Sequence, residues 1–243
     1  MPASSIYTAK IPVLDLRALA GAAKALGAEV TVAFETPVRF WSKDEQKKCA
    51  LVGVLDVAEC EGAITLRVPT SNLNDLLKTF GKDAILSVEV ESDEDTDALS
   101  LTFTDGTTTD KRIMTVEEAA KDDVPYSTKV STAASCEVDV KALAKVLTAY
   151  KKDADVVDLK ISGSTLEVAY SNRNGKDAWL YATQPKGSGS GKFSTSLLAA
   201  ATTACKSVAD SATLMLSKDG PLRLNAVGDA IACRVYVVAS KPI

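Results

Sequence analysis

The sequence predicts an α+β chain of two similar domains, each an internal duplication. Two observations carry that expectation. A pattern of short strand, amphipathic helix and two or three alternating strands recurs four times. Its period, roughly 55–70 residues, is long for a solenoid repeat and suits duplicated domains. Apolar residues make up 46% of the chain, enough to fill two cores of ordinary size. A duplicated chain repeats its surfaces, so a shaped scaffold is expected before a catalytic cleft.

The helices follow from apolar residues spaced three and four apart. They begin near Leu14, Ser71, Val140 and Ser194 and read VLDLRALAGAAKAL, SNLNDLLKTFG, VKALAKVLTAYKK and STSLLAAATTACK. Strict alternation marks the strands. EVTVAFETPVRFW reads as a strand pair turned at Thr36-Pro37, CALVGVLDV as a longer apolar strand, and ITLRV as the lead into the second helix. ILSVEVE and DALSLTF flank an acidic turn at 92–96. VVDLKIS and TLEVAYS form a hairpin about Gly163, and DAWLYAT follows Asn174-Gly175. SATLMLS and LRLNAV flank a turn at 218–221, and IACRVYVVA closes the pattern. Residues 115–135 hold charges, a proline and small polar groups without sustained period, and read as a linker. The domains are therefore expected at 1–114 and 136–243. PKGSGSG, from Pro185 to Gly191, reads as a flexible surface loop.

Several chemistries are excluded or disfavoured. The chain has no histidine, which removes Ser-His-Asp and Cys-His catalysis and imidazole metal sites. Its five cysteines are far apart, with no CxxC, and are expected to be reduced hydrophobes. GSGSGK at 187–192 fails as a phosphate loop, because Lys186 stands at the first required glycine and Phe193 at the Ser/Thr. Asp93, Asp95 and Asp97 open like a calcium loop, but Ala98 replaces the turn glycine and Thr104 the twelfth-position ligand. Glu117-Glu118 and Asp122-Asp123 fall in the linker with no expected pocket. No catalytic residue, metal or cofactor is assigned. No secretory leader is legible, and no apolar run approaches the ~18 residues of a membrane span. A soluble, intracellular chain is expected.

The informative charge is local. Net charge is −4, yet the outward helix faces are basic. The third helix carries Lys141, Lys145, Thr148 and Lys152 opposite an apolar stripe of Val140, Leu143, Val146, Leu147 and Tyr150. The first helix presents Arg17, Gly21 and Lys24, the second Asn74, Lys78 and Lys82, and the fourth Lys206 alone. Asp15, Asp75 and Asp139 sit near helix starts, where the macrodipole favours them. Four such faces on one surface would meet phosphates without reading bases.

With these residues in view, the chain resembles the DNA sliding clamps of the proliferating cell nuclear antigen (PCNA) type. ITLRVPTSNLNDLLKTFGKDAILSVEVESDEDTDALSLTF is similar to the clamp segment that runs from strand through inner helix into an acidic hairpin. SATLMLSKDGPLRLNAVGDAIACRVYVVASKP is similar to the clamp C-terminus, and DDVPYSTKV to the interdomain connector. The resemblance implies helices on the inner face of a ring, antiparallel sheets outside, and closure by three subunits. It places Arg17, Lys24, Lys78, Lys82, Lys141, Lys145, Lys152 and Lys206 toward encircled double-stranded DNA. It implies subunit pairing between edges 110–116 and 177–183, with Lys111, Arg112 and Ile113 meeting Trp179, Leu180 and Tyr181. It implies a partner-peptide groove involving Lys48, Leu51, Val124, Pro125, Pro221, Val237, Val238 and Ala239. DNA polymerase, other clamp-binding proteins and a clamp loader are the implied partners, in the nucleus of a eukaryote or otherwise in cytoplasm or at a viral replication site. The chain departs from the family in its polar connector, in the loop SKDEQKKCALV with Lys43, and in ending at Pro242-Ile243 without an acidic tail. The alternative is a clamp-fold paralogue that completes a ring with other chains, such as a checkpoint-type subunit or a viral accessory factor.

Overall fold

The computed structural model describes residues 4–58, 60–92, 98–106, 111–119, 131–172, 175–218 and 220–240. Its chain divides into two compact units: 1–42, 52–125 and 229–232 in the first, 43–51, 126–228 and 233–243 in the second. The first unit begins with β1 (Ser4–Pro12), α1 (Val13–Lys24), β2 (Glu29–Phe34) and β3 (Val38–Lys43). Next come β4 (Cys49–Leu55), β5 (Cys60–Gly62), β6 (Ile64–Pro69) and α2 (Thr70–Leu77). It ends with β7 (Ile85–Ser92), β8 (Leu99–Asp105) and β9 (Lys111–Glu118). The second unit holds β10 (Thr132–Asp139), α3 (Val140–Tyr150), β11 (Val156–Ser162), β12 (Thr165–Asn172) and β13 (Gly175–Ala182). It continues with β14 (Lys186–Gly187), β15 (Gly189–Ser194), α4 (Thr195–Lys206), β16 (Ser211–Ser217), β17 (Leu222–Val227) and β18 (Ile231–Val237). Residues of β4 and β18 are shared between the units.

In the first unit neighbouring strands run β3-β2-β6-β9-β8-β7-β1-β5. In the second they run β14-β10-β16-β17-β18, with a separate sheet β13-β12-β11-β15. The strand pairings among the described residues are antiparallel, for example β7 on β8 and β11 on β12. The helices of each unit pack as a pair, α1 with α2 and α3 with α4.

The internal duplication is visible as one hydrogen bond made four times. The first amide of each helix donates to the carbonyl just before the strand that follows its sister helix. These bonds are Val13 N–H to Ala84 O (2.9 Å), Thr70 to Ala28 (2.8 Å), Val140 to Asp210 (3.0 Å) and Thr195 to Asp155 (2.8 Å). Strand register repeats in the same way: Pro12 faces Ile85, Pro69 faces Glu29, Asp139 faces Ser211 and Ser194 faces Val156. A first-turn amide has no partner inside its own helix, so each helix start is satisfied by the other half of its unit. The N-caps differ. Pro12 and Pro69 supply a preset φ and no side-chain acceptor. Asp139 Oδ1 accepts from Ala142 N–H at 2.8 Å, and Ser194 Oγ from Leu197 N–H at 3.5 Å.

The cores are the inward strand residues and helix stripes. Val88, Val90, Leu86, Leu66, Val68 and Leu77 are fully buried in the first unit, and Leu143, Leu147, Leu159, Ile161, Leu198 and Leu214 in the second. Of the five cysteines, Cys49, Cys136, Cys205 and Cys233 are buried thiols and Cys60 is half-exposed. Burial pushes the Cys136 thiol up to about 11.

Two segments differ from their sequence reading. The stretch expected as linker from 115 onward begins as strand. Glu117 and Glu118 pair with Arg67 and Leu66 of β6, and Ala119 N–H donates to Thr65 O at 2.9 Å. Residues 120–130, with Asp122-Asp123, lie outside the described residues, as do positions 93–96 of the acidic turn read at 92–96, Asn174 and Pro242-Ile243. PKGSGSG is also strand rather than loop: Lys186-Gly187 pair with β10 and Gly189–Ser194 with β11. Glycine is required there by close approach. Gly187 has φ +77°, and a Cβ on it would stand 2.3 Å from Ala133 O.

Candidate functional site

Three surfaces collect the residues singled out by sequence: the helix faces, two strand edges and the end of the second unit.

On the helix faces the predicted cations separate into engaged and unengaged groups. Arg17 is half-buried, and its guanidinium donates to Leu77 O (3.2 and 3.0 Å) and Phe80 O (2.7 Å). Those carbonyls lie at the end of α2 and just beyond it, where the helix dipole is negative, so Arg17 ties α1 to the end of α2 instead of standing outward. Lys78 pairs with Asp75 at 2.8 Å and Lys141 with Asp210 at 2.7 Å, all four well exposed. The Lys78 ammonium, then Lys24 from further away, hold the Asp75 carboxyl below the usual carboxylate range. Asp210 in turn raises Lys141. Lys24, Lys82, Lys145, Lys152 and Lys206 are exposed. Among the described residues Lys82, Lys145, Lys152 and Lys206 make no ion pair. Lys82 lies beyond the end of α2 and Lys152 beyond α3. Burial first, and then Asp229, push the Asp15 carboxyl above its ordinary value.

The two edges are each described within their own unit. One side of β9 pairs with β8 from Thr104–Lys111 to Leu99–Val116. Its other side meets β6 only at Glu117 and Glu118. Residues 113–115 therefore present a side with no strand partner among the described residues, and Ile113 is 58% exposed. Nothing is described of the Lys111 side chain. β13 is the last strand of its sheet, paired with β12 along its length and unpaired on the other side. Leu180 is 64% exposed. Trp179 and Tyr181 are half-buried and stacked with centroids 5.3 Å apart. The Tyr181 hydroxyl accepts from Asp139 N–H at 3.3 Å, which anchors β13 to the start of α3.

The predicted groove residues are only partly surface. Leu51 and Val237 are fully buried, so the strand alternation makes them core and neither faces a peptide. Val124 and Pro125 lie outside the described residues. Lys48 and Val238 do come together: Val238 N–H donates to Lys48 O at 2.8 Å, with Val238 half exposed and Ala239 exposed. Pro221 is half-buried at the start of β17, its carbonyl accepting from Ser217 Oγ at 2.8 Å. The sequence reading missed a further contact. Ser240 N–H donates to Lys192 O at 2.8 Å, so the chain after β18 runs from the turn at Lys48 to the edge of β15. The only sequence signal for it was an extended tail following an alternating strand.

Among the described residues no cluster of histidine, cysteine or carboxylate side chains is arranged to hold a metal ion. No helix is long and apolar enough to cross a membrane.

No protein-family model and no curated protein matches the sequence. Solved structures do match the fold. The proliferating cellular nuclear antigen of Entamoeba histolytica superposes with a TM-score of 0.86 at 14% identity, over 98% of this chain and all of the other. A structure of A. fulgidus PCNA with the C-terminal region of FEN-1 bound superposes with a TM-score of 0.81 at 14% identity, over 98% and 99%. At that identity the likeness establishes the architecture: this chain has the two-domain α+β fold of PCNA-type sliding clamps.

Proposed function

We propose that the chain is a DNA sliding clamp that closes into a ring with two further copies of itself and tethers replication or repair enzymes to duplex DNA. The observation that carries this reading is full-length likeness to clamp structures in a chain that leaves two strand edges open, β9 in one unit and β13 in the other. An open apolar edge invites aggregation unless something pairs with it. Two unlike edges joined head to tail give a ring when the rotation closes. Two unlike open edges on one chain are what closure by identical copies requires, β9 of one copy meeting β13 of the next.

In this reading Lys24, Lys82, Lys145, Lys152 and Lys206 face the duplex, with Lys78 and Lys141 partly neutralised by Asp75 and Asp210. Such contacts attract phosphates without register, partly through water, and let the ring move. Arg17 acts in support, by fixing the helix pair that carries Lys24 and Lys78. A bound enzyme gains residence through effective concentration, since the ring is held by topology. The partner surface is the end of the second unit around Lys48, Pro221, Val238 and Ala239.

Threading tests the function. The full chain is mixed with linear duplex whose ends are either open or blocked by bulky adducts, then passed through gel filtration at moderate salt. Retention on DNA that was blocked after mixing, and none on DNA blocked before it, is the expected result. Equal retention on both would mean ordinary side-on binding.

A further inference from the structure

We infer that the surface around Val238 selects partner peptides whose apolar anchor is flanked by carboxylates. This rests on the reading of that surface as a peptide site. Two backbone bonds, from Val238 to Lys48 and from Ser240 to Lys192, stretch the chain between two lysine-bearing segments. Val237 is fully buried and Val238 half exposed, so alternation aims the second side chain outward between Lys48 and Lys192. β17 and β18 are neighbours joined by a short turn and so run antiparallel, which brings Pro221 and the exposed Lys218 to the same end as Val238. An apolar centre of Val238, Ala239 and Pro221 is thereby set among Lys47, Lys48, Lys192 and Lys218, each exposed.

The acids nearby offset these cations only in part. The Asp44 carboxylate is folded back on its own turn, accepting from Cys49 N–H (2.5 Å) and Gln46 N–H (3.2 Å). Asp158 pairs with Lys192 Nζ at 3.8 Å, with both side chains more than half exposed, so solvent screens the pair. Glu45 is the remaining exposed acid on the turn, beside Lys43, Lys47 and Lys48. Lys43, Lys47, Lys48, Lys192 and Lys218 stand against Asp44, Glu45 and Asp158, with Asp219 following Lys218 in sequence, so a small positive excess on a chain whose net charge is −4 favours an acidic ligand at this end. The apolar centre distinguishes the site from a phosphate-binding patch: it would bury an aliphatic or aromatic side chain, and lysines at the rim would choose among its neighbours.

The test uses the full chain and two short fluorescein-labelled peptides with the same aliphatic-aromatic anchor, one flanked by glutamates and one by lysines. Anisotropy titrations should give about tenfold tighter binding of the glutamate-flanked peptide at low salt, a gap that closes near 0.5 M salt as screening shortens to a few ångströms. The double variant K48E/K192E should reverse the preference, and V238D should weaken both peptides. Equal affinities, or a preference untouched by K48E/K192E, overturn the charge selection and leave the peptide site standing. Absence of binding by either peptide removes the peptide-site reading and the selection with it.

Discussion

Arg17 separates a residue's chemistry from its address. Its sequence position on an amphipathic helix marks it as an outward cation, yet its three hydrogen bonds end at carbonyls 60 and 63 positions away. Arg17→Ala should lower the stability of the first unit by about 2 kcal/mol, the scale of charged hydrogen bonds lost from part-buried carbonyls. Thermal melting would read this, with Arg17→Lys recovering only a fraction, since an ammonium lacks the planar fork that reaches both carbonyls. Asp15 gives a pH signature. Its folded-state carboxyl titrates above the usual value, so ionisation opposes folding, and the cost appears as pH rises through that raised value. Asp15→Asn should therefore leave the melting temperature almost unchanged well below the unfolded-state carboxyl value and raise it at pH 8. A stabilisation that is greater at the acidic end would contradict the assignment. The triple variant K145A/K152A/K206A should weaken duplex association at low salt and flatten its salt dependence, while the solution mass stays that of the parent. Leu51 and Val237 were unreadable for the opposite reason to Arg17: in a strand, one register step decides between groove and core.

At the scale of elements, much was legible. All four helices start within about one residue of their sequence positions, because the apolar spacing of 3.6 and the Pro, Asp or Ser before each start agree. The strand pair about Thr36-Pro37 and the hairpin about Gly163 fall where alternation places them. Glycine-rich 185–191 was misread, since its residues have no strand propensity of their own and are held extended by β10 and β11 on either side. The start of the linker was misread likewise, because only pairing with β6 makes Glu117 and Glu118 strand. Caps belong to this scale too. Asp139→Ala should cost about 1 kcal/mol by removing the acceptor for Ala142 N–H, read as a lower midpoint in denaturant. The longer Ser194 bond predicts a smaller loss for Ser194→Ala. The edges are the elements on which the proposed assembly depends: Leu180→Asp on β13 or Ile113→Asp on β9 should leave a folded single chain, with unchanged helix content by circular dichroism and a reduced particle mass.

For the whole molecule, duplication explains why sequence comparison finds so little and structure comparison so much. The bond from each helix start to its sister's strand uses backbone atoms, so any side chains that keep the apolar pattern preserve it. Such a fold survives at 14% identity, while its surfaces remain open to change. The function proposed for it depends on those surfaces closing on further copies. Light scattering of the purified full chain at micromolar concentration tests this most directly. Three times the mass of a single chain is expected, falling to one chain in Leu180→Asp. A parent protein that stays a single chain over that range would contradict closure by identical copies.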